Sequence, residues 1–283
     1  MIISVASGKG GTGKTTVATN LALSLGKVQF IDCDVEEPNA NIFFNAEIKE
    51  REDVTVEIPE IDKEKCNYCG KCSEFCAYNA LAVVPSDVLV FPELCHSCGG
   101  CGLVCPQNAV NWKEKSVGKI EHGFKNGVDF FHGLLNVGEI QAIPVIKALK
   151  KKIDRDKTVI LDAPPGTSCP VIETVGCSDY CILVTEPTPF GFHDLKLAID
   201  VVRHIGIPFG VIINRDGVGD KKVELFCQHE KIPLIMKIPQ SEKIAQLYSN
   251  GVPFVNEMDN WCDKFKNLFK SITEEVEKSS NLP

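Results

Sequence analysis

Short apolar runs alternate with longer stretches of helical periodicity along most of the chain. Strands that alternate with helices in this way build a parallel sheet covered on both faces, so the pattern predicts an α/β fold with a doubly wound, mostly parallel sheet. The apolar runs lie at residues 2–6, 28–31, 157–161, 181–184, 209–213 and 233–239, and the helical stretches at 17–25, 139–152, 193–205 and from Trp261 to Val276.

The pattern changes between residues 45 and 113. A charged stretch there predicts one short strand at 54–58, residues 81–84 and 88–91 predict a small hairpin, and 110–112 predict a further strand. The stretch that follows, 118–138, is punctuated by glycines and is not assigned to an element. We interpret residues 60–113 as a domain inserted into a larger one made of residues 1–59 and 114–283.

Composition and charge exclude several classes of partner. The chain has 283 residues, of which 44% are hydrophobic and 24% charged, and its net charge is −8. Negative charge disfavours nonspecific nucleic-acid binding. No apolar run approaches the roughly 18 residues of a membrane span, and the sequence opens on a strand rather than a signal peptide. We therefore expect a cytoplasmic protein with no nucleic-acid and no membrane partner.

The segment after the first apolar run fits the pattern G-x-x-x-x-G-K-[ST]. Backbone N–H groups of such a loop surround a polyphosphate at the positive end of a helix, and glycines permit the close approach. Lys14 would reach the β- and γ-phosphates, and the Thr15 hydroxyl would bind Mg²⁺. The expected nucleotide contacts are Gly8, Gly10, Gly11, Thr12, Gly13, Lys14, Thr15 and Thr16.

Two apolar runs end in acidic residues: Asp32 and Asp34 after the second run, and Asp162 after the run at 157–161. Ligands bind at the carboxyl ends of strands in open α/β sheets, so these acids should face the glycine-rich loop. Asp162 fits a Walker B acid that accepts a hydrogen bond from Mg²⁺-bound water. Of Asp32 and Asp34, one can orient metal-bound water and the other the attacking water. The alternative for this pair is capping of the next helix.

Cysteine is the compositional exception, with 14 residues. In a reducing compartment, clustered cysteines usually hold metal rather than form disulfides. A structural zinc site uses two C-x-x-C pairs and would leave surplus thiolates here. Three other cysteines, Cys169, Cys177 and Cys181, are interpreted mostly as buried thiols, with Cys169 as the candidate for reactivity. The spacing C-x-x-C-x-x-C-x-x-x-C occurs twice, as Cys66, Cys69, Cys72, Cys76 and as Cys95, Cys98, Cys101, Cys105.

The duplicated spacing resembles the bacterial two-cluster ferredoxins, in which the fourth cysteine of each copy ligates the other cluster. The resemblance implies two 4Fe–4S clusters. Ala77 departs from the pattern, which often has proline there, whereas Pro106 follows the second copy. The first cysteine set is Cys66, Cys69, Cys72 and Cys105, and the second cysteine set is Cys76, Cys95, Cys98 and Cys101.

An early lysine in the loop, Lys9, and the D-x-P-P-G turn that begins at Asp162 resemble the MinD/ParA/nitrogenase-iron-protein family. The resemblance implies that two subunits close over two nucleotides, as a homodimer or a heterodimer with a paralogue, and that Lys9 reaches the partner's nucleotide. It also implies that Asp34 positions the attacking water. Asn214 would read adenine, and Pro239 would lie in a second adenine-side loop.

These features predict a P-loop ATPase of the MinD superfamily with an inserted bacterial-type ferredoxin domain of α+β type. The expected catalytic residues are Lys9, Lys14, Asp34 and Asp162, and the expected Mg²⁺ site is Thr15, Asp32 and Asp162, directly or through water. We expect slow Mg-ATP hydrolysis coupled to electron transfer with a redox partner protein. Two alternatives stay open: an ATP-gated carrier or scaffold for iron–sulfur clusters, and a positioning ATPase related to cell-division proteins.

Overall fold

The computed structural model describes residues 1–280, and its centre is a nine-stranded sheet. The strands are β1 (Ile2–Ala6), β2 (Val28–Asp32), β3 (Glu47–Ile61), β4 (Leu81–Val84), β5 (Asp87–Val90), β6 (Val110–Lys125), β7 (Val128–Leu135), β8 (Val159–Asp162), β9 (Tyr180–Thr185), β10 (Phe209–Asp216) and β11 (Leu234–Pro239). The sheet order is β11-β10-β9-β1-β8-β2-β7-β6-β3, and β4 pairs with β5 separately.

Helices cover both faces of the sheet. One face packs against α1 and α10 in a single apolar cluster, and the other packs against α5, α6, α7 and α8 in two clusters. The helices are α1 (Lys14–Leu25), α2 (Asn41–Phe44), α3 (Lys71–Phe75), α4 (Gly100–Leu103), α5 (Ala142–Lys150), α6 (Cys169–Val175), α7 (Pro189–Ile205), α8 (Lys222–His229), α9 (Glu242–Ser249) and α10 (Trp261–Ser280).

The prediction of a mostly parallel sheet is confirmed, since every neighbouring pair from β11 to β7 is parallel. The last helix packs on that sheet as the sequence predicts: Trp261, Phe265, Leu268 and Ile272 are buried beside α1. In the part of the chain that the structure describes, no helix combines the length and the apolar character that crossing a lipid bilayer requires.

The edge of the sheet differs from the prediction. The expected short strand at 54–58 is part of the 15-residue β3, and the glycine-rich stretch forms most of β6 and β7. Two glycines in β6 are needed there because neighbouring backbone leaves no room for a side chain. A Cβ on Gly118 would lie 2.5 Å from the Leu134 carbonyl oxygen, and one on Gly123 would lie 2.6 Å from that of Glu47.

Strands β3 and β6 form an antiparallel ribbon that extends from Glu47 paired with Phe124 to Ile61 paired with Val110. Its far end carries the cysteine-rich residues 62–109, which we call the insert. The hairpin predicted within the insert is confirmed as β4 and β5. The ribbon therefore joins the insert directly to the sheet that carries the glycine-rich loop.

Candidate nucleotide site and cysteine-rich insert

The glycine-rich loop connects β1 to α1 and requires glycine at particular positions. Gly11 and Gly13 have φ values of 78° and 90°, in the left-handed region that favours glycine. A Cβ on Gly13 would lie 2.1 Å from Asn214 Nδ2, whereas one on Gly10 or Gly11 would meet open space. The loop therefore combines a tight turn against the sheet with an open backbone surface above it.

A cavity of 810 Å³ lies above this loop, at the carboxyl ends of the parallel strands. Of the residues that the sequence predicts as functional, Gly8, Thr12, Asp32 and Asp162 do not line it; Gly8 instead packs against Asp194. The predicted residues that the structure brings together around the cavity are Lys9, Gly10, Gly11, Gly13, Lys14, Thr15, Thr16, Asp34, Asn214 and Pro239.

Lys14 is a buried cation between two acids. Its Nζ lies 3.1 Å from Asp162 Oδ1 and 3.9 Å from Asp34 Oδ2. Burial alone would lower the pKa of Lys14, but the charges of Asp162, Asp34 and Asp32 outweigh it and raise the pKa. Lys14 is therefore held as an ammonium at the floor of the cavity.

Asp32 differs from the other two acids in its contacts. Its Oδ1 accepts the N–H of Asp34 at 3.0 Å, and its Oδ2 accepts the N–H groups of Asn39 and Ala40 at 3.2 and 3.1 Å. Burial, followed by the charge of nearby Asp162, raises the pKa of Asp32. These bonds hold the chain between β2 and α2 in place, but they do not cap α2, whose first turn has no side-chain cap.

Two buried oxygens in this region have no hydrogen-bond partner among the described residues: Asp162 Oδ2 and Thr12 Oγ1. A buried carboxylate oxygen without a partner is costly, and a metal-bound water is one group that would satisfy it. Because Thr15 lines the adjoining cavity, the side chains here fit a hydrated Mg²⁺ between Thr15 and Asp162.

The residue that sequence reasoning missed is Glu186, at the end of β9. Its Oε1 lies 2.5 Å from Lys9 Nζ, and its Oε2 lies 2.9 Å from Arg215 Nη1. The side chain lines the cavity and is almost fully buried. The available signal was the one that identified Asp162, an acid directly after a buried apolar strand.

Asn214 is also fixed by the loop. Its Nδ2 donates a hydrogen bond to the Thr12 carbonyl at 2.8 Å, and the side chain is buried. Pro239, Ile244 and Tyr248 line the same cavity. The cavity thus has two different ends. One is charged and contains Lys14, and the other combines the Asn214 amide with apolar and aromatic side chains.

The insert repeats its backbone as well as its cysteine spacing. Gly70 and Gly99 have φ values of 83° and 74°, Tyr68 and Ser97 have 56° and 53°, and Asn79 and Asn108 have 52° and 48°. Four backbone N–H groups donate to cysteine sulfurs at equivalent places, from Tyr68 to Cys66, Ser97 to Cys95, Ala80 to Cys76 and Ala109 to Cys105, at 3.3 to 3.4 Å. The two copies therefore share one local geometry.

The insert places cysteines of each predicted set near one another. All four thiols of the first cysteine set line one narrow cavity. In the second set, Cys95 and Cys98 lie close enough to Cys101 to contribute to raising its pKa. Cys76 packs against the apolar clusters that contain Cys95 and Cys101. Within the described residues, no three histidine, cysteine, aspartate or glutamate side chains already converge closely enough to hold a metal ion.

Burial raises the pKa of Cys101 to about 11 and also raises the pKa of Cys72. A bound metal cation favours the thiolate, as do N–H···S hydrogen bonds of the kind seen here. Eight thiols in two sets, each with donated N–H groups, are a donor set that fits two thiolate-ligated clusters.

The cysteines outside the insert only partly follow their interpretation as buried thiols. Cys181 is fully buried and Cys177 is half-buried, but Cys169 is exposed, so the prediction was wrong for that residue. The reason is its position at the first turn of α6, directly after the D-x-P-P-G turn on the surface. Cys181, in contrast, is buried because it lies in the apolar strand β9.

Asp34→Asn is expected to stabilise the nucleotide-free protein at neutral and higher pH. Burial raises the pKa of Asp34 to about 6 from 3.8, although Lys14 opposes the shift. The folded state therefore binds the proton more tightly and loses stability as pH rises from about 4 through about 6. Discounted for partial exposure, the gain should be about 1–2 kcal/mol near pH 8 and close to zero near pH 4.

Urea denaturation at the two pH values measures this difference. Asp200→Asn, at an exposed aspartate of α7, serves as the control and should change the free energy of unfolding little at either pH. A destabilised Asp34→Asn protein near pH 8 would mean that the carboxylate supports the fold instead of straining it.

Comparison with known proteins agrees with this geometry. The sequence profile of the CobQ/CobB/MinD/ParA nucleotide binding domain matches residues 3–254. An uncharacterised protein of Methanocaldococcus jannaschii is 34% identical over 277 residues, which are 94% of this chain and 97% of that protein.

Two more distant relatives have names that state a function. A Pyrococcus horikoshii protein named iron–sulfur cluster carrier protein is 23% identical over 272 residues, covering 89% of this chain and 78% of its own. The septum site-determining protein MinD of P. horikoshii, solved with Mg-ADP, aligns with a TM-score of 0.59 and 20% identity, covering 99% of this chain and 97% of its own. This structural likeness shows a shared fold.

Proposed function

Because this chain belongs to the CobQ/CobB/MinD/ParA family of nucleotide-binding proteins, we propose that it is a Mg²⁺-dependent ATPase whose nucleotide state is coupled to electron transfer through two 4Fe–4S clusters. The observation that carries the proposal is the joining of two sites by one sheet. The loop with Lys14 lies at the carboxyl end of the parallel strands, and the β3–β6 ribbon extends from the same sheet to eight cysteines.

In the proposed reaction the loop backbone and Lys14 bind the phosphates of ATP. Lys14 is already charged and buried, so it can neutralise charge that develops on the γ-phosphate without reorganisation. Thr15 and the unpartnered Asp162 Oδ2 would hold hydrated Mg²⁺, which supplies charge neutralisation when bound. Asp34 lines the cavity beside Lys14 and would align the attacking water.

The base end of the nucleotide would lie by Asn214 and Pro239. An amide offers both a donor and an acceptor, which adenine requires. Pro239, Ile244 and Tyr248 line the cavity and supply the apolar surface against which a base packs. A nucleotide in this orientation has its phosphates on the loop and its base between β10 and α9.

The first cysteine set would hold one cluster and the second set the other. Clusters of this type, when bound, take up and release single electrons. The protein's own contribution is the thiol spacing, the N–H groups that point at the sulfurs, and the burial of Cys95 and Cys101. The electron donor or acceptor would be a partner protein docked on the insert.

Two subunits are expected to close over nucleotide, and substitution of Lys9 tests this expectation directly. In the single chain Lys9 is paired with Glu186, at the mouth of the cavity. A role across a dimer interface requires Lys9 to exchange Glu186 for the partner's phosphate. Lys9→Ala should therefore lower the dimer association constant with a non-hydrolysable ATP analogue by roughly tenfold, a typical value for a close charge pair.

Light scattering after size-exclusion chromatography measures this association. Lys27→Ala, at an exposed lysine after α1, is the control and should dimerise like the wild type. A Lys9→Ala protein that dimerises as well as its parent would rule out the cross-subunit contact.

Anaerobic purification tests the proposed function as a whole. Two 4Fe–4S clusters require about eight iron and eight sulfide per chain. Mg²⁺-dependent ATP hydrolysis should be present and should differ between oxidised and dithionite-reduced protein. Zinc or no metal at the eight cysteines, or failure to bind adenine nucleotide, would overturn the proposal.

A second candidate is an ATP-gated cluster carrier, since several relatives are named iron–sulfur cluster carrier proteins. The exposure of Cys69 and Cys98 is compatible with cluster transfer. Incubation of the iron-loaded protein with an apo-ferredoxin and Mg-ATP separates the two functions. Transfer of iron supports a carrier, and retention supports an electron-transfer protein.

A further inference from the structure

A short segment outside the ribbon also contacts the insert. Residues 135–141, which we call the linking segment, connect β7 to α5. The sequence predicted helix from residue 139, but α5 begins at Ala142 and Ile140 is 64% exposed. The linking segment runs from the strand end beside Asp34 to the second copy of the cysteine motif.

At its nucleotide end, the linking segment is bonded to the residue after Asp34. The Leu135 N–H donates to the Val35 carbonyl at 2.8 Å, and Val35 is buried. A Cβ on Gly133 would lie 2.7 Å from both Val35 Cγ1 and Val145 Cγ1. With this little free space, a displacement of the Asp34–Val35 segment must be transmitted to β7 and α5.

At its other end, the linking segment bonds the turn that precedes the second copy. Gln141 Nε2 donates to the Cys95 carbonyl. Lys115 Nζ donates to the Pro92 carbonyl at 3.0 Å and forms an ion pair with Glu139 Oε2 at 2.7 Å. Two side chains thus anchor residues 92–95 to the linking segment and to β6.

The middle of the linking segment is fixed by its own bonds. Glu139 Oε1 accepts the N–H groups of Ile140 and Gln141 at 3.0 and 3.2 Å. The Asn136 N–H donates to the Val117 carbonyl at 3.0 Å, and the Glu139 side chain is only 4% exposed. Because the Glu139 carboxylate is buried and hydrogen-bonded, releasing it is costly, and we expect the segment to move as one unit.

The two cysteine sets differ in this respect. Among the hydrogen bonds and ion pairs described for residues 1–278, one joins the insert to a part of the chain other than β3 and β6. It is the bond from Gln141 to Cys95. The first cysteine set receives no corresponding bond within that range. The ribbon reaches both sets, whereas this additional connection reaches the second set.

We propose that the linking segment couples the nucleotide loop selectively to the second cysteine set, with Glu139 and Gln141 as positioning residues. This rests on the proposed function only in assigning a cluster to that set. Binding of nucleotide beside Asp34 shifts Val35 and Leu135, and the shift changes the environment of Cys95 but not that of Cys66.

Hydrogen–deuterium exchange of the full chain, with and without a non-hydrolysable ATP analogue and Mg²⁺, tests the coupling. Within the segment 92–98, the amides of residues 93–98 should change their exchange rate by about fivefold or more, a typical lower limit for allosteric coupling, and those of 62–70 by much less. Gln141→Met keeps the side-chain length but removes the donor, and should abolish the response at 92–98. Glu139→Gln should reduce it.

Gln228→Met, at an exposed glutamine of α8, is the matched control and should respond like the wild type. Equal responses at 62–70 and 92–98, a response that persists in Gln141→Met, or no response at saturating analogue would each overturn the inference. These outcomes do not depend on iron or on ATP hydrolysis. Failure of the proposed function would be seen separately, as absence of iron or of hydrolysis.

Discussion

Lys14→Ala is expected to lower kcat for ATP hydrolysis by roughly 10²–10³-fold, the usual cost of removing one preorganised group that stabilises transition-state charge. The reason lies in its surroundings. Lys14 Nζ is buried 3.1 Å from Asp162 and is pointed into the cavity where the phosphates would bind. Without it, charge developing on the γ-phosphate would face Asp162 and Asp34 without the ammonium that lies between them, because Lys9 of the same loop is paired with Glu186.

The same substitution leaves buried acids without a counterion, which can destabilise the fold by about 3–5 kcal/mol. If the single variant unfolds, the double variant Lys14→Ala, Asp34→Asn removes one of these charges, and its kcat is compared with that of Asp34→Asn so that the loss due to Lys14 is measured separately. Steady-state phosphate release measures the effect, and Lys27→Ala is again the control. A folded Lys14→Ala protein with near wild-type kcat would exclude Lys14 from catalysis.

Cys98→Ser is expected to remove one of the two clusters and leave the other. The second cysteine set would lose a ligand, whereas the first set and its cavity are untouched. Iron per chain should fall from about eight to about four, and the matched variant Cys69→Ser should produce the same loss from the first set. The two variants should then differ in which electron paramagnetic resonance signal disappears on reduction.

Cys169→Ser is the matched control, because Cys169 is exposed, like Cys69 and Cys98, but lies outside the insert. This variant should keep about eight iron atoms per chain. Unchanged iron in Cys69→Ser and Cys98→Ser, or equal loss in Cys169→Ser, would contradict the assignment of the two cysteine sets.

Much of the nucleotide site could be predicted because its signals are local. The loop pattern fixes glycines where positive φ is needed, as at Gly13. The apolar strands end where Asp34 and Asp162 lie close to Lys14 of that loop. The family resemblance of this region is confirmed by the profile match over residues 3–254. The repeat in the insert is equally local, since each copy specifies its own turns and N–H···S bonds.

The features that escaped prediction depend on distant pairing. β3 and β6 carry many charged residues and glycines, so neither strand resembles a buried strand alone, and their stability comes from pairing over their full length. The pairing of Lys9 with Glu186, residues far apart in the chain, is likewise visible only once β9 lies beside β1. The start of α5 was misplaced because Glu139 binds the backbone N–H groups that follow it and pairs with Lys115.

Redox potentiometry of the anaerobic protein, followed by electron paramagnetic resonance, tests the central claim most directly. The claim is that the nucleotide site and the metal centres influence each other, and such coupling must be reciprocal. If ATP binds one redox state tenfold more tightly, saturating Mg-ATP shifts a one-electron midpoint potential by about 59 mV. We expect such a shift for the cluster of the second cysteine set. Identical potentials with and without Mg-ATP, in protein that carries its full iron and hydrolyses ATP, would contradict the account.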